Sequence, residues 1–118
     1  MGYIVRHDVN DEWANAGIIK AGDFAFLGYC AGIHSGTMEE QINGDFDYME
    51  DRLGLLGLNL DSVVQMDCLF KDIWSILVME KVIKERFHGK YPVRKSIQTE
   101  FAGEGLLFQV DAVAYCGK

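Results

Sequence analysis

The stretch YPVRKSIQTE, residues 91–100, carries the one proline of the chain, Pro92, two residues before Arg94. A guanidinium on a strand presents a rigid fork of N–H donors that matches a carboxylate. Proline fixes the backbone where the strand begins and makes the direction of that fork reproducible. Period-two alternation sends Arg94, Ser96, Gln98 and Glu100 one way and Val93, Ile97 and Phe101 the other.

In the last strand-like segment, LLFQVDAVAY, Phe108, Val110, Ala112 and Ala114 make an apolar face, and Leu107, Gln109, Asp111 and Val113 make the other. AGEG between the two segments is a tight-hairpin signal. A symmetric hairpin would set Phe101 opposite Leu106. Arg94, Ser96, Gln98, Gln109 and Asp111 would then share the sheet face that helices leave open. A solvated face accounts for Gln98 and Glu100. Arg94 has two readings that its neighbours leave open: a ligand carboxylate, or a salt bridge to Asp111 or to another subunit.

Other reactive residue types are less suggestive. His7, His34 and His88 are isolated, with no metal-ligand spacing. No glycine-rich turn joins a strand to a helix in the phosphate-cradling pattern. Cys30, in GYCAG, has no histidine placed beside it and reads as a buried strand cysteine. Cys30, Cys68 and Cys116 are odd in number, lack CxxC spacing and point to reduced thiols in a cytoplasmic protein. Trp74 and its apolar neighbours read as core. Glu80 falls on the Ile73, Leu77, Ile83 and Phe87 side of its helix, at the edge of that stripe or facing a site.

These residues need a frame to hold them, and 118 residues suffice for one domain, 1–118, with its own core. The net charge of −7 argues against a nucleic-acid partner, since such proteins set lysine and arginine against phosphates. The opening MGYIVRHDVNDEW has neither a signal-peptide pattern nor, with Arg6 at the sixth position, a myristoylation pattern. No apolar run is long enough for a bilayer, so no membrane partner is expected.

YIVRHD reads as a first strand, and IIKAGDFAFLGYCAGI as two arms turning at Ala21-Gly22-Asp23. In the second arm, Phe24, Phe26, Gly28 and Cys30 would share one face and Ala25, Leu27 and Tyr29 the other. SGTMEEQINGDFDYMEDRLGLLG predicts a helix. Thr37 and Glu40 form a capping box, and Met38, Ile42, Phe46, Met49, Leu53 and Leu56 an apolar stripe. Gly57 suits its left-handed end. DSVVQMDCLFKD reads as a strand with Ser62, Val64, Met66, Cys68 and Phe70 on one face. IWSILVMEKVIKERF reads as a second helix, capped by Asp72 and stopped before Gly89 and Pro92. The order β-β-β-α-β-α-β-β predicts an α+β domain, a mostly antiparallel sheet with two helices on one face.

AGDFAFLGYCAGI, EEQINGDFDYMEDRLGLLGLNLDSVVQMDCLFKDI, YPVRKSIQTE and LLFQVDAVAY, in this order and spacing, resemble the RidA/YjgF family over roughly residues 15–115. The resemblance implies a chorismate-mutase-like fold, a homotrimer and ligand clefts between subunits. It implies no cofactor, and hydrolysis of enamine and imine intermediates to 2-keto acids and ammonia. The family's carboxylate-forking arginine falls at Arg94. The family's last-strand glutamate, thought to position or activate water, falls at Gln109, which cannot take a proton as a carboxylate can. Its cysteine falls at Ser96, its cleft-closing serine at Gly28 beside Tyr29, its helix asparagine at Glu80, and its N-terminal aromatic near Asn15, where Trp13 could substitute.

The resemblance therefore supports two readings: a deaminase of the 2-iminobutanoate/2-iminopropanoate type, with Gln109 holding water, or a non-catalytic trimeric protein that binds or senses a small carboxylate. An endoribonuclease activity, a label some relatives carry, finds neither a basic stripe nor a general acid/base histidine pair.

Overall fold

The computed structural model describes residues 3–31 and 34–117. The N-terminal Met1-Gly2 pair and the end of the predicted second arm, residues 32 and 33, lie outside them. The described elements run β1 (Ile4–Asn10), β2 (Asn15–Ala21), β3 (Phe24–Cys30), α1 (Met38–Gly54), β4 (Val63–Phe70), α2 (Ile76–Phe87), β5 (Val93–Gln98) and β6 (Phe108–Tyr115). Single 3₁₀ turns precede β4 and α2. The element order is the one expected from the sequence.

α1 begins as its sequence dictates. The Glu40 N–H donates to Thr37 Oγ1 at 3.1 Å, and the Thr37 N–H donates to Glu40 Oε1 at 2.8 Å. Two free N–H groups of the first turn are thus satisfied reciprocally. Ile42, Phe46, Met49 and Leu53 are fully buried, with Met38 and Leu56 packed at the margin. Burying each such side chain contributes about 1.5–3 kcal/mol. Past the helix, Gly57 takes φ +72, and Leu58 N–H returns to Leu53 O at 3.0 Å. This left-handed step closes the last carbonyls at a position where a side chain would be strained.

The sheet differs from the expected one in a way that matters. Its order is β1-β2-β3-β6-β4-β5, antiparallel throughout except for β4 and β5, which run parallel. β5 and β6 form no hairpin. β6 inserts between β3 and β4, while β5 pairs with β4 at the edge after crossing over through α2. AGEG is a local turn signal, but the apolar face of Phe108, Val110, Ala112 and Ala114 buries more surface at the sheet centre. All four are buried, against a β5 that is exposed or half-buried throughout.

Two bulges also shift the alternation. Leu27 pairs with Ala112 but Cys30 pairs with Val110, so β3 holds one residue more than β6 over that interval. Cys30 therefore lies in the core with Ala25 and Leu27, and Tyr29 turns outward, the reverse of simple alternation. In β4 the extra residue is Val64: Val63 is buried with Met66, Cys68 and Phe70, and Val64 is exposed.

Arg52 of α1 holds the first bulge. Its Nη1 donates to Gly28 O at 3.1 Å, to Tyr29 O at 3.0 Å and to Cys30 Sγ at 3.6 Å. Its Nε reaches Asp8 Oδ2 at 3.4 Å, and its Nη2 donates to Tyr48 Oη at 3.1 Å. Gly17 makes room for this, since a Cβ there would lie 2.9 Å from Arg52 Nε and collide with Asp8. Gln41 does similar work for the loop before β6. It donates to Gly105 O at 3.0 Å and accepts from Leu107 N–H at 2.9 Å.

Candidate functional site

α2 ends at His88 and Gly89, whose φ of 53 and 83 turn the chain sharply. Tyr91 and Pro92 then lead straight into β5. This short return sets Arg94 beside Glu80, an earlier residue on the helix. Arg94 Nη2 donates to Glu80 Oε2 at 2.9 Å, and Arg94 Nη1 donates to Ser96 Oγ at 3.3 Å. Both side chains of the ion pair are about one-third exposed, at 30% and 36%.

The pair borders a groove of about 240 Å³. Met66 and Ile83 give it apolar lining, Tyr91 and Pro92 bound it on the loop side, and Lys84 adds a second cation. Glu80, Ile83 and Lys84 are three and four residues apart, so one face of α2 supplies all three. Guanidinium carries five N–H donors, and Glu80 and Ser96 engage two of its nitrogens. A small carboxylate in the groove would find further donors on a partly exposed cation.

Arg94 thus lies on the helix-covered side of the sheet. Its strand partner is Met66, and Ser96 and Gln98 pair with Cys68 and Phe70, all buried beneath the helices. Gln98 even accepts from the Ile73 N–H at 3.0 Å, at the turn that opens α2. This corrects the expectation that Arg94, Ser96, Gln98, Gln109 and Asp111 share the open face. The cause is the missing hairpin: parallel pairing with β4, not antiparallel pairing with β6, fixes which way β5 faces. Arg94 pairs with Glu80, and Asp111 is not its partner.

Of the residues singled out from the sequence, the structure brings together Arg94, Ser96 and Glu80. Gln109 pairs with Leu69 and faces the open side, so within one chain it does not meet Arg94. Gly28 and Tyr29 sit in the β3 bulge, three strands from β5. Trp13 is exposed in the β1–β2 turn, at the opposite edge of the sheet. Five strand spacings separate those edges, about 24 Å. Trp74 and Leu77, expected in the core, are 82% and 70% exposed; Met79, Val82, Ile83 and Phe87 form the buried face of α2 instead.

The open face carries a second feature. Asp67 and Asp111 stand directly opposite each other on β4 and β6, and Lys95 is opposite Asp67 on β5. Partial burial raises the Asp111 carboxyl above its ordinary value; the charge of Asp67 and a hydrogen bond to it push the same way, and Lys95 opposes them. Burial pushes the Cys30 and Cys68 thiols up to about 12, so both are protonated and inert at neutral pH, as their strand positions suggested.

Tyr91 and Lys84 went unnoticed in the sequence, although the aromatic next to Pro92 and the residue four beyond Glu80 were both available signals. Arg52 and Gln41 were missed as well. Both lie on the buried side of α1, where a stripe drawn from apolar residues alone passes over polar side chains.

No family model matches the chain, and no curated protein matches it. Among solved structures, a Streptococcus pyogenes M1 GAS protein, a member of the highly conserved yjgF family, is 60% identical over 100% of both chains, with a TM-score of 0.96. A Neisseria meningitidis member of the YjgF family is 15% identical and superposes with a TM-score of 0.90, covering 98% of this chain and 97% of that one. An Entamoeba histolytica protein described as a candidate endoribonuclease L-PSP is 20% identical, with a TM-score of 0.85 over 96% of this chain and 99% of the other. The last two show likeness of fold alone.

Proposed function

The chain belongs to the YjgF family, and we propose that it binds small carboxylates of the 2-imino and 2-keto acid class at Arg94, in clefts between the subunits of a homotrimer. The observation that carries this reading is the one-third-exposed Arg94 side chain at a groove sized for a small molecule. Oligomerisation has its own support. The open sheet face exposes Phe24, Phe26, Val93, Ile97 and Tyr115, a spread of large apolar side chains that a partner surface would cover. A neighbouring subunit is also what could bring Trp13, Gly28 and Tyr29 toward Arg94, since within one chain they lie strands apart.

Two forms of the function are distinguished by Gln109. As a deaminase, the protein would hydrolyse imines to 2-keto acids and ammonia with Gln109 of one subunit holding the attacking water. As a binding or regulatory protein, it would hold the carboxylate without turnover. The second form is favoured by the site itself: the carboxylate in the groove is Glu80, already bonded to Arg94, and Gln109 offers no proton-accepting carboxylate. The endoribonuclease name of the Entamoeba relative belongs to that protein; the charge of −7 here opposes phosphate-backbone binding.

Imine decay separates the two forms. Imines generated by an amino-acid oxidase are followed with and without the purified protein. Acceleration lost in Gln109→Ala identifies a deaminase, and decay at the buffer rate with every imine identifies a binding protein. Light scattering of the same sample should give a mass of three chains, and a monomer would count against the intersubunit cleft.

A further inference from the structure

Taking Arg94 as the carboxylate-binding arginine proposed above, we infer that its groove selects a carboxylate with a cationic nitrogen on the adjacent carbon. Such a ligand is a small α-amino acid or a protonated 2-imino acid, and it is preferred over the 2-keto acid of the same carbon skeleton. Glu80 is the reason. It sits 2.9 Å from Arg94, so any carboxylate docked on the remaining guanidinium N–H groups lies close to a second negative charge. In a groove partly screened from water that repulsion is stronger than in bulk solvent. An ammonium or iminium group beside the ligand carboxylate converts the same neighbour into an attraction.

Hydrogen-bond chemistry points the same way. Arg94 uses Oε2 of Glu80, and a carboxylate has a second oxygen that can accept only from a donor. An ammonium or iminium N–H is such a donor. A keto oxygen is itself an acceptor, and facing Glu80 it brings two lone-pair-bearing oxygens together. Lys84 in the same groove leaves two cations against one anion. A bare amine without a carboxylate is therefore opposed, and the selected ligand must carry both groups. Met66 and Ile83 suit a short aliphatic side chain, and about 240 Å³ limits it to a few carbons.

The matched pair L-2-aminobutyrate and 2-ketobutyrate tests this by calorimetric titration into the wild-type protein, Glu80→Gln and Arg94→Ala. The wild type is expected to bind the amino compound about tenfold more tightly, the scale of one charge-assisted hydrogen bond. Glu80→Gln should bring the two within about twofold of each other, chiefly by weakening the amino compound. Arg94→Ala should bind neither. If the wild type holds the keto acid as tightly, or Glu80→Gln keeps the preference, selection by Glu80 is overturned while the Arg94 site stands. If neither compound binds the wild type, the Arg94 site fails and the selectivity with it. The Glu80 pair is one-third exposed, so the thermal midpoint of Glu80→Gln should stay near that of the wild type and certify its fold.

Discussion

Arg52 and Arg94 are the same residue type put to opposite uses. Arg52 is nearly buried, and its partners are three consecutive β3 residues, Asp8 and Tyr48, all from the chain itself. Arg94 is one-third exposed on an edge strand, has two side-chain partners and borders a groove. Burial with all three guanidinium nitrogens bonded within the chain marks an arginine that stabilises the fold. Exposure, incomplete satisfaction and an adjacent groove mark one that is available to a ligand. The contrast lives in packing, since both residues read simply as cations in the sequence.

Removing the buried arginine should have the largest effect on the fold. Arg52→Ala takes the guanidinium donor from the Gly28 and Tyr29 carbonyls and leaves Asp8 with only the Tyr48 hydroxyl, and a loss of about 3 kcal/mol is expected. Urea unfolding measures it, and a loss under about 1 kcal/mol would erase the distinction from Arg94. Gln41→Ala, which removes a buried side chain and frees Gly105 O and Leu107 N–H at a partly buried site, should cost about 1 kcal/mol in the same assay. An unchanged midpoint would mean that the loop before β6 is held by other contacts.

The open face supplies a pH-dependent comparison. Asp111 has a folded value raised above its ordinary 3.8, so the unfolded chain releases this proton first. Its contribution to stability is fully present below 3.8 and is lost as pH rises through the folded value. Asp111→Asn should therefore flatten the decline of stability across that window. A variant whose stability falls as steeply as the wild type's would show that the fold does not raise the Asp111 carboxyl. Arg94→Ala should give the smallest effect on folding, under about 1 kcal/mol, because its ion pair with Glu80 is solvent-accessible.

What the sequence disclosed follows from how local each signal is. The capping box and apolar stripe of α1 involve residues three and four apart, and they appear in the fold as expected. Strand order is set by distant partners, so AGEG suggested a hairpin where β6 enters the sheet centre and β5 goes to the edge. That error turned Arg94 to the wrong face while leaving its identity as the candidate anchor intact. Each bulge displaced the alternation by one residue, and an inserted residue leaves no mark in a period-two pattern until its partner strand is known. Trp74 is exposed for a related reason: it belongs to the 3₁₀ turn before α2, so it does not extend the helical stripe. Alternation placed Ser96 with Arg94, the stripe of the second helix singled out Glu80, and family resemblance tied both to one site, whereas Tyr91 and Lys84 needed the groove to be seen.

The difference between the two arginines rests finally on whether Arg94 binds a carboxylate. Calorimetric titration of L-2-aminobutyrate and 2-ketobutyrate into the wild-type protein and Arg94→Ala, at matched concentration and ionic strength, tests it most directly. Saturable binding with one ligand per chain in the wild type and none in Arg94→Ala is the expected result. Equal binding by the two proteins, or none by either, would contradict it.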